Sequence, residues 1–278
     1  MSASFAVLGA GLMGRLMALS LAREGHSVEL YDRGGPDASQ SAAHVAAAML
    51  APLAESVESE PLIVSLGQAS LERWPELLGT LPDPVFFQQS GTLIVWHAQD
   101  RDQAAQFGRR LHRYDDQFPI DSRARELSGA EIAEVEPALG QRFAKGIYLP
   151  REGQLDNRAL LSVLGKALME VGVGLRWHTE VEPAQVQADW IIDCRGLGAK
   201  PDWPTVRGVR GEVVRVHSPE VELSRPIRLL HPRYPIYIAP KPDGVYVIGA
   251  TQIESEDTSP TSVRSALELL SALYSVHP

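Results

Sequence analysis

At 278 residues, with 44% hydrophobic and 22% charged side chains, the chain has the make-up of a folded globular protein large enough for a sizeable core or two moderate domains. Its formal net charge of -9 argues against nucleic acid or anionic membrane as a partner, and no uninterrupted apolar run reaches the length of a bilayer span. The single cysteine, Cys194, excludes an internal disulfide and points to a reducing, cytoplasmic setting.

The first stretch, Ser4 to Arg33, carries the strongest signal. Phe5 to Leu8 reads as a buried strand, followed by Gly9, Gly11 and Gly14 in the spacing G-x-G-x-x-G. Leu12 to Glu24 has helical periodicity, Gly25 can end that helix, and Ser27 to Tyr31 reads as a second strand closed by Asp32. Strand, glycine turn, helix, strand and acid in this order form the dinucleotide-binding fingerprint. The helix N-terminus offers N–H groups and a positive dipole end to a pyrophosphate. Asp32 can accept from a ribose hydroxyl pair and would repel a 2′-phosphate, which disfavours NADP. The start of the chain is no signal peptide, because the glycine turn falls where an apolar core would lie.

Ser41 to Glu55, SAAHVAAAMLAPLAE, has two readings: a buried alanine-rich helix, or a segment lying against a large flat ligand. Pro61 to Leu78 reads as an amphipathic helix with Leu62, Leu66, Ala69 and Trp74 on one face, kinked or ended by Pro75. Phe86 to Trp96 reads as a hairpin turning at Ser90-Gly91. Arg101 to Tyr114 reads as a charged, exposed helix, and Ser128 with Glu131 as a capping box. Gly146 to Leu149 reads as a strand, Asn157 to Val171 as a helix with Leu160, Leu161, Leu164 and Leu168 inward, and Leu175 to His178 and Trp190 to Asp193 as strands. From Val206 the texture turns antiparallel: Gly211 to Val216, Ile227 to Leu230, Pro235 to Ala239 and Gly244 to Gly249, with Lys241-Pro-Asp-Gly244 as a turn. Thr261 to Val276 returns to helix, with Val263, Leu267, Leu270 and Leu273 as one apolar stripe. The expected architecture is a mixed α/β fold: a Rossmann-type dinucleotide domain over 1–84, 146–201 and 259–278, interleaved with an antiparallel, mixed-sheet substrate domain over 85–145 and 202–258. The eight histidines lack metal-ligand spacing, so no metal site is expected.

Several segments together resemble one family: GAGLMG with YDR, AAAMLAPLAE, EGQLDNRAL, DCRGLG, VRGEVVRV and YPIYIAPKPDGVYVIGAT. They are similar to the FAD-dependent D-amino-acid oxidase superfamily, in its glycine oxidase branch, over nearly the whole chain. The resemblance implies FAD as cofactor, with its adenine half at the glycine turn and its isoalloxazine at the domain interface. The implied FAD contacts are Gly9, Ala10, Gly11, Leu12, Met13 and Gly14 in the turn, then Asp32 and Arg33, then Ala46, Ala47, Ala48, Met49 and Leu50. Val181 is implied to hold the adenine by its main chain, and Cys194, Arg195 and Gly196 to form a turn facing the dinucleotide. Tyr237 is the implied catalytic-site residue that contacts a substrate carboxylate. The implied reaction is oxidation of the C–N bond of a small amino acid or amine by hydride transfer to flavin N5, with molecular oxygen as acceptor, in a possible homo-oligomer. The resemblance also suggests a place in thiamine biosynthesis.

The sequence departs from the family in two places. AAAML carries Ala48 before Met49 where glycine is common, and His44 replaces a small hydroxyl residue. The family also continues past a segment like YSVHP into a substrate-binding arginine and a second flavin loop, whereas this sequence stops at Pro278. The expectation is therefore a C-terminally short chain that binds FAD loosely. Arg210 and Arg233 are the first candidates for a substitute carboxylate partner, and His231 reads better as a turn residue. Other readings are a D-amino-acid dehydrogenase with a non-oxygen acceptor, an NAD-dependent dehydrogenase, and a non-catalytic dinucleotide-binding protein.

Overall fold

The apolar run at the N-terminus forms β1 (Ser4–Leu8), with Ala6, Val7 and Leu8 buried. In the computed structural model, which describes residues 2–113, 119–120 and 123–278, the chain continues into α1 (Leu12–Arg23) and returns as β2 (Ser27–Tyr31). With β9 (Gly174–Arg176) and β10 (Trp190–Asp193) these strands make an all-parallel sheet in the order β10-β1-β2-β9. Leu160, Leu164 and Leu168 of α6 (Asn157–Glu170) pack with Val7, Val28 and Leu30 in one core. Each such burial stabilises by about 1.5–3 kcal/mol relative to an exposed side chain. The leucine spacing of α6 therefore places it against the sheet, as expected from sequence.

A seven-stranded sheet stands beside it, in the order β11 (Val213–His217), β14 (Val245–Gly249), β13 (Ile236–Lys241), β12 (Ile227–Leu230), β5 (Thr92–Trp96), β7 (Lys145–Leu149) and β6 (Arg125–Ser128). Its neighbours are antiparallel except β12 and β5, which run parallel with Ile227 opposite Leu93. Two-residue strands β3 (Met49–Leu50) and β4 (Phe87–Gln88) flank β8 (Gly153–Leu155) in a third, small sheet. Mixed parallel and antiparallel sheets are the α/β fold that the sequence predicts. The strand at 145–149 opens the stretch 146–201 yet belongs to the seven-stranded sheet, so sheet membership does not follow the boundary read from sequence. No helix among the described residues is long and apolar enough to cross a membrane.

Several expectations change. Ser41 to Glu55 is no long helix: α2 (Ala42–Val45) is a single turn, followed by β3 and further turns. Phe86 to Trp96 is no hairpin. β4 pairs with β8 while β5 pairs with β7 and β12, and the Tyr148 ring fills the space where a Cβ on Gly91 would lie, 2.4 Å away. In α3 (Pro61–Gly79) Leu62 and Leu66 face solvent, Val64 and Leu71 are buried, and Pro75 lies within the helix. The cause is a close approach: a Cβ on Gly67 would stand 2.7 Å from Pro52 Cβ, so the helix docks along its Val64–Gly67–Leu71 line. In α4 (Arg101–Leu111) the charged face is exposed but Ala104, Phe107 and Leu111 are buried; Tyr114 lies outside the described residues. α5 (Gly129–Val135) has both halves of the Ser128–Glu131 capping box. In α7 (Val263–Val276) the inward face is Leu269, Ala272 and Val276, and Val263, Leu267 and Leu270 are exposed. Glu212 accepts the Ser262 N–H at 3.0 Å and so sets the helix rotation from its N-cap.

Candidate functional site

At Gly9 and Gly14 the glycine turn joins β1 to α1 through contacts that admit no side chain. Gly9 adopts φ 96°, and a Cβ on Gly14 would lie 1.8 Å from the Gly9 carbonyl oxygen. α1 starts at Gly11 without a side-chain cap and with no acid in its first turn, which leaves its N–H groups and dipole free for an anion. A Cβ on Gly11 would meet only Ser41 Cβ, at 3.6 Å, so the turn and the start of α2 form two walls of one cradle. Asp32, at the end of β2, accepts the Ala10 N–H at 2.5 Å and the Gly34 N–H at 2.6 Å. Each carboxylate oxygen keeps acceptor capacity for a ribose hydroxyl. The loop after β9 lies alongside: Thr179 N–H donates to Asp32 O at 2.8 Å, two residues before Val181. Arg33 pairs with exposed Glu180, at 3.8 Å.

The turn at Cys194 closes the same region from β10. Cys194 N–H donates to Leu8 O at 2.7 Å, and a Cβ on Gly9 would lie 2.5 Å from Cys194 O. Burial raises the Cys194 thiol, which suits packing and not nucleophilic attack. The Arg195 side chain is engaged by Asp193 at 2.6 Å and Asp202 at 2.5 Å, its N–H also donates to Asp193, and Gly196 follows at φ 58°.

Beyond α2, the segment with Ala46, Ala47, Ala48, Met49 and Leu50 is clamped from behind. The Asn157 amide nitrogen lies 2.5 Å from Ala43 O, 3.2 Å from His44 O and 2.8 Å from Ala46 O, and Arg158 Nε donates to His44 O. Ala48 sits at φ 53°, the left-handed region where alanine is strained and glycine is not. The sequence departure at this position is therefore a backbone cost in the fold. Burial, then the Arg158 charge, hold the His44 imidazole below its ordinary value, and its Nδ1 is buried without a partner.

Ala47 meets the seven-stranded sheet at Ala239 and Val247, with Met49, Val213 and Tyr237 packed around them. Tyr237 thus lies on the sheet face that looks toward the 46–50 segment. No hydrogen bond is made by its hydroxyl among the described residues. Burial first, and the Glu55 charge second, push the phenol up to about 12. Four side chains that sequence reading passed over support this wall. Glu152, fully buried, accepts Leu53 N–H and Ala54 N–H at 2.8 Å each, and burial raises its carboxyl to about 7. Lys241 ends β13 at the expected hairpin turn and is buried, donating to Leu155 O at 2.8 Å, and burial lowers its amine to about 7. Arg228 stands directly opposite Tyr237 across β12 and β13, and Asn157 holds α2. Polar residues inside apolar runs, as in IRLL and EGQLDN, were the available signal.

The structure does not bring Arg210 or Arg233 to this wall as free cations. Arg210 is tied to Glu212 at 2.5 Å and Asp257 at 3.2 Å. Arg233 is exposed over the Tyr234 ring at 5.1 Å. His231 Nδ1 accepts the Arg233 and Tyr234 N–H groups, the turn role expected of it. No group of three or more metal-ligand residues gathers among the described residues. The uncapped helix start, the Gly11 cradle and Asp32 are the parts that a flavin dinucleotide needs, so the residues fit FAD.

Comparison with known proteins agrees. The family of FAD dependent oxidoreductases designated DAO matches residues 4–278. A Rhizobium etli protein that carries the name thiamine biosynthesis oxidoreductase ThiO is 36% identical over 272 residues, 98% of this chain and 78% of that protein. The glycine oxidase of Geobacillus kaustophilus is 26% identical over 290 residues, 95% of this chain and 74% of that protein. The crystal structure of a glycine oxidase from Geobacillus kaustophilus superposes with a TM-score of 0.82 at 22% identity, covering 99% of this chain and 78% of that one.

Proposed function

Because the chain belongs to the DAO family of FAD-dependent oxidoreductases, we propose that it oxidises the C–N bond of a small amino acid or amine of the glycine or D-amino-acid type, giving an oxo acid, ammonia and hydrogen peroxide. The observation that carries this reading is the unpartnered Tyr237 hydroxyl on the sheet face opposite Ala47 and Met49. The chemistry that FAD supplies when bound is acceptance of a hydride at N5 and delivery of the electron pair to molecular oxygen. Gly9 to Gly14 and Asp32 would hold the pyrophosphate and ribose through backbone N–H groups and the carboxylate. Arg33, Val181 and the turn at Cys194, Arg195 and Gly196 would hold the adenine half. The Ala46–Leu50 segment would hold the flavin ring, and Tyr237 the substrate carboxylate. Small side chains at 46–48 and the apolar Met49 exclude water from the reacting carbon. No side chain needs to act as nucleophile, because the redox chemistry is supplied by the flavin. The name of the Rhizobium etli relative supports an amine consumed in thiamine biosynthesis. The two-domain division, with its boundaries at 84, 145, 201 and 258, is part of the same proposal.

The test is an absorption spectrum of the purified protein followed by anaerobic addition of glycine, sarcosine and D-amino acids. The expected result is a flavin spectrum that bleaches with one of these and recovers with oxygen while peroxide forms. Bleaching that oxygen cannot reverse points to a dehydrogenase, and a colourless protein that takes up no FAD overturns the reading.

A further inference from the structure

Arg15 is a charged residue on the inward face of α1, fully buried beside Gly14, Ala18 and Leu19. Among the described residues its hydrogen bonds go to three carbonyls and to no carboxylate. Nε donates to Ala10 O at 2.8 Å, Nη1 to Leu161 O at 2.6 Å and Nη2 to Pro36 O at 2.8 Å. The guanidinium lies 5.2 Å from the Trp177 ring centroid, and Gly165 leaves it room, since a Cβ there would stand 3.0 Å from Nη1. Ala10 is thus held at both ends by ionised side chains, its N–H by Asp32 and its carbonyl by Arg15. In a trans peptide the C=O and the next N–H point in opposite directions. With Ala10 O drawn inward to Arg15, Gly11 N–H points away from the core, and it has no acceptor among the described residues. A carbonyl bonded to a cation also makes the N–H of its own peptide a stronger donor.

We propose that Arg15 is the counter-charge for the diphosphate of the dinucleotide, acting from beneath the glycine turn without touching the ligand. The proposal rests on the FAD reading of the cradle and deepens it, by naming the residue that makes the cradle select a diphosphate. Asp32 puts a negative charge on the same turn, which by itself opposes an anionic ligand. The two arginines at the rim are already engaged by carboxylates, Arg33 by Glu180 and Arg195 by Asp193 and Asp202. Burial disfavours the charged form of Arg15, and the Asp32 and Asp37 charges act against that effect. Its own hydrogen bonds go to carbonyls, so its charge remains available to an anion above the turn. In a dry interior a charge acts well beyond hydrogen-bond length. Packing alone does not call for this residue: a methionine fills a similar space without the cost of desolvating a cation.

The probes are ADP and adenosine, which share the nucleoside and differ in the diphosphate. Their dissociation constants are measured on the full chain, by competition with FAD where it is bound and by direct calorimetry where it is not. Wild type should bind ADP at least about tenfold tighter than adenosine. In Arg15→Met that preference should shrink by about fivefold or more, with adenosine affinity and circular dichroism little changed. In Arg15→Lys, which keeps the charge and loses the fork, most of the preference should return. Should Arg15→Met fail to fold, Arg15→Gln takes its place with the same expected loss, since it keeps an amide donor for Ala10 O and carries no charge. An equal loss of ADP and adenosine affinity marks a purely structural residue and overturns the proposal, as does a wild-type preference below about threefold. If the protein takes up no FAD yet prefers ADP through Arg15, the cofactor reading fails and the counter-charge stands. If FAD is held while the ADP preference is the same in every variant, the counter-charge alone fails.

Discussion

The carboxylate of Asp32 accepts the backbone N–H of Ala10 at 2.5 Å, which ties the end of β2 to the middle of the glycine turn. One side chain therefore shapes the cradle, and in the proposed site it would also accept from a ribose hydroxyl. Asp32→Ala removes both functions. The expected outcome is FAD affinity lower by roughly tenfold to a hundredfold, the worth of about 1.5–3 kcal/mol for charge-assisted hydrogen bonds. Equilibrium titration with FAD checks it, and unchanged affinity would mean that the ribose lies elsewhere.

Tyr237→Phe deletes a hydroxyl that no group among the described residues uses. Folding stability should change by less than about 1 kcal/mol, because no hydrogen bond is lost. KM for the amino acid should rise with little change in kcat, because the contact to the carboxylate is the same in ground and transition state. Steady-state kinetics decide, and unchanged KM removes Tyr237 from the site.

Ala48 at φ 53° sits where a Cβ crowds the following carbonyl. The left-handed conformation costs about 1–2 kcal/mol, and glycine returns part of this as extra freedom of the unfolded chain. Ala48→Gly should therefore stabilise the protein by up to about 1 kcal/mol in urea unfolding. A destabilised variant would show that the methyl group packs for more than the strain.

Glu152 is buried, and its folded value near 7 lies above the ordinary carboxylate value of 4.5. The folded protein then holds a proton that the unfolded chain has lost between those values, so stability falls as pH rises from about 4.5 through about 7. Glu152→Gln keeps an acceptor oxygen for Leu53 and Ala54 N–H and carries no charge. Its stability should match wild type at pH 4 and exceed it at pH 8, by at most roughly 3 kcal/mol. Equal urea midpoints at pH 8 would count against a buried charge.

Lys241 gives the opposite slope. Burial lowers its folded value to about 7 from 10.5, so between those values the unfolded chain binds the extra proton and stability rises with pH. Lys241→Met should flatten the rise between pH 7 and 10, followed by thermal unfolding across that window. A wild-type slope in the variant assigns the rise to another group.

The dinucleotide half was legible from sequence because its information is local. Gly9 and Gly14 sit where the backbone itself needs them, α6 announces its buried face by leucine spacing, and Ser128 with Glu131 caps its own helix. Period and cap act over a few residues, so a linear reading finds them. Tertiary structure decided the rest, because those choices depend on what docks from far along the chain. Gly67 against Pro52 turned α3 away from its most apolar stripe, and Glu212 at the N-cap rotated α7. Tyr148 and β8 separated the two halves of an apparent hairpin. The same holds for the wall around Tyr237. Arg228 meets Glu55 across 173 residues of chain, and Asn157 reaches back over 114 residues to Ala43. Its register opposite Tyr237, not its place in the sequence, distinguishes Arg228 from the equally buried Arg210 and from the exposed Arg233.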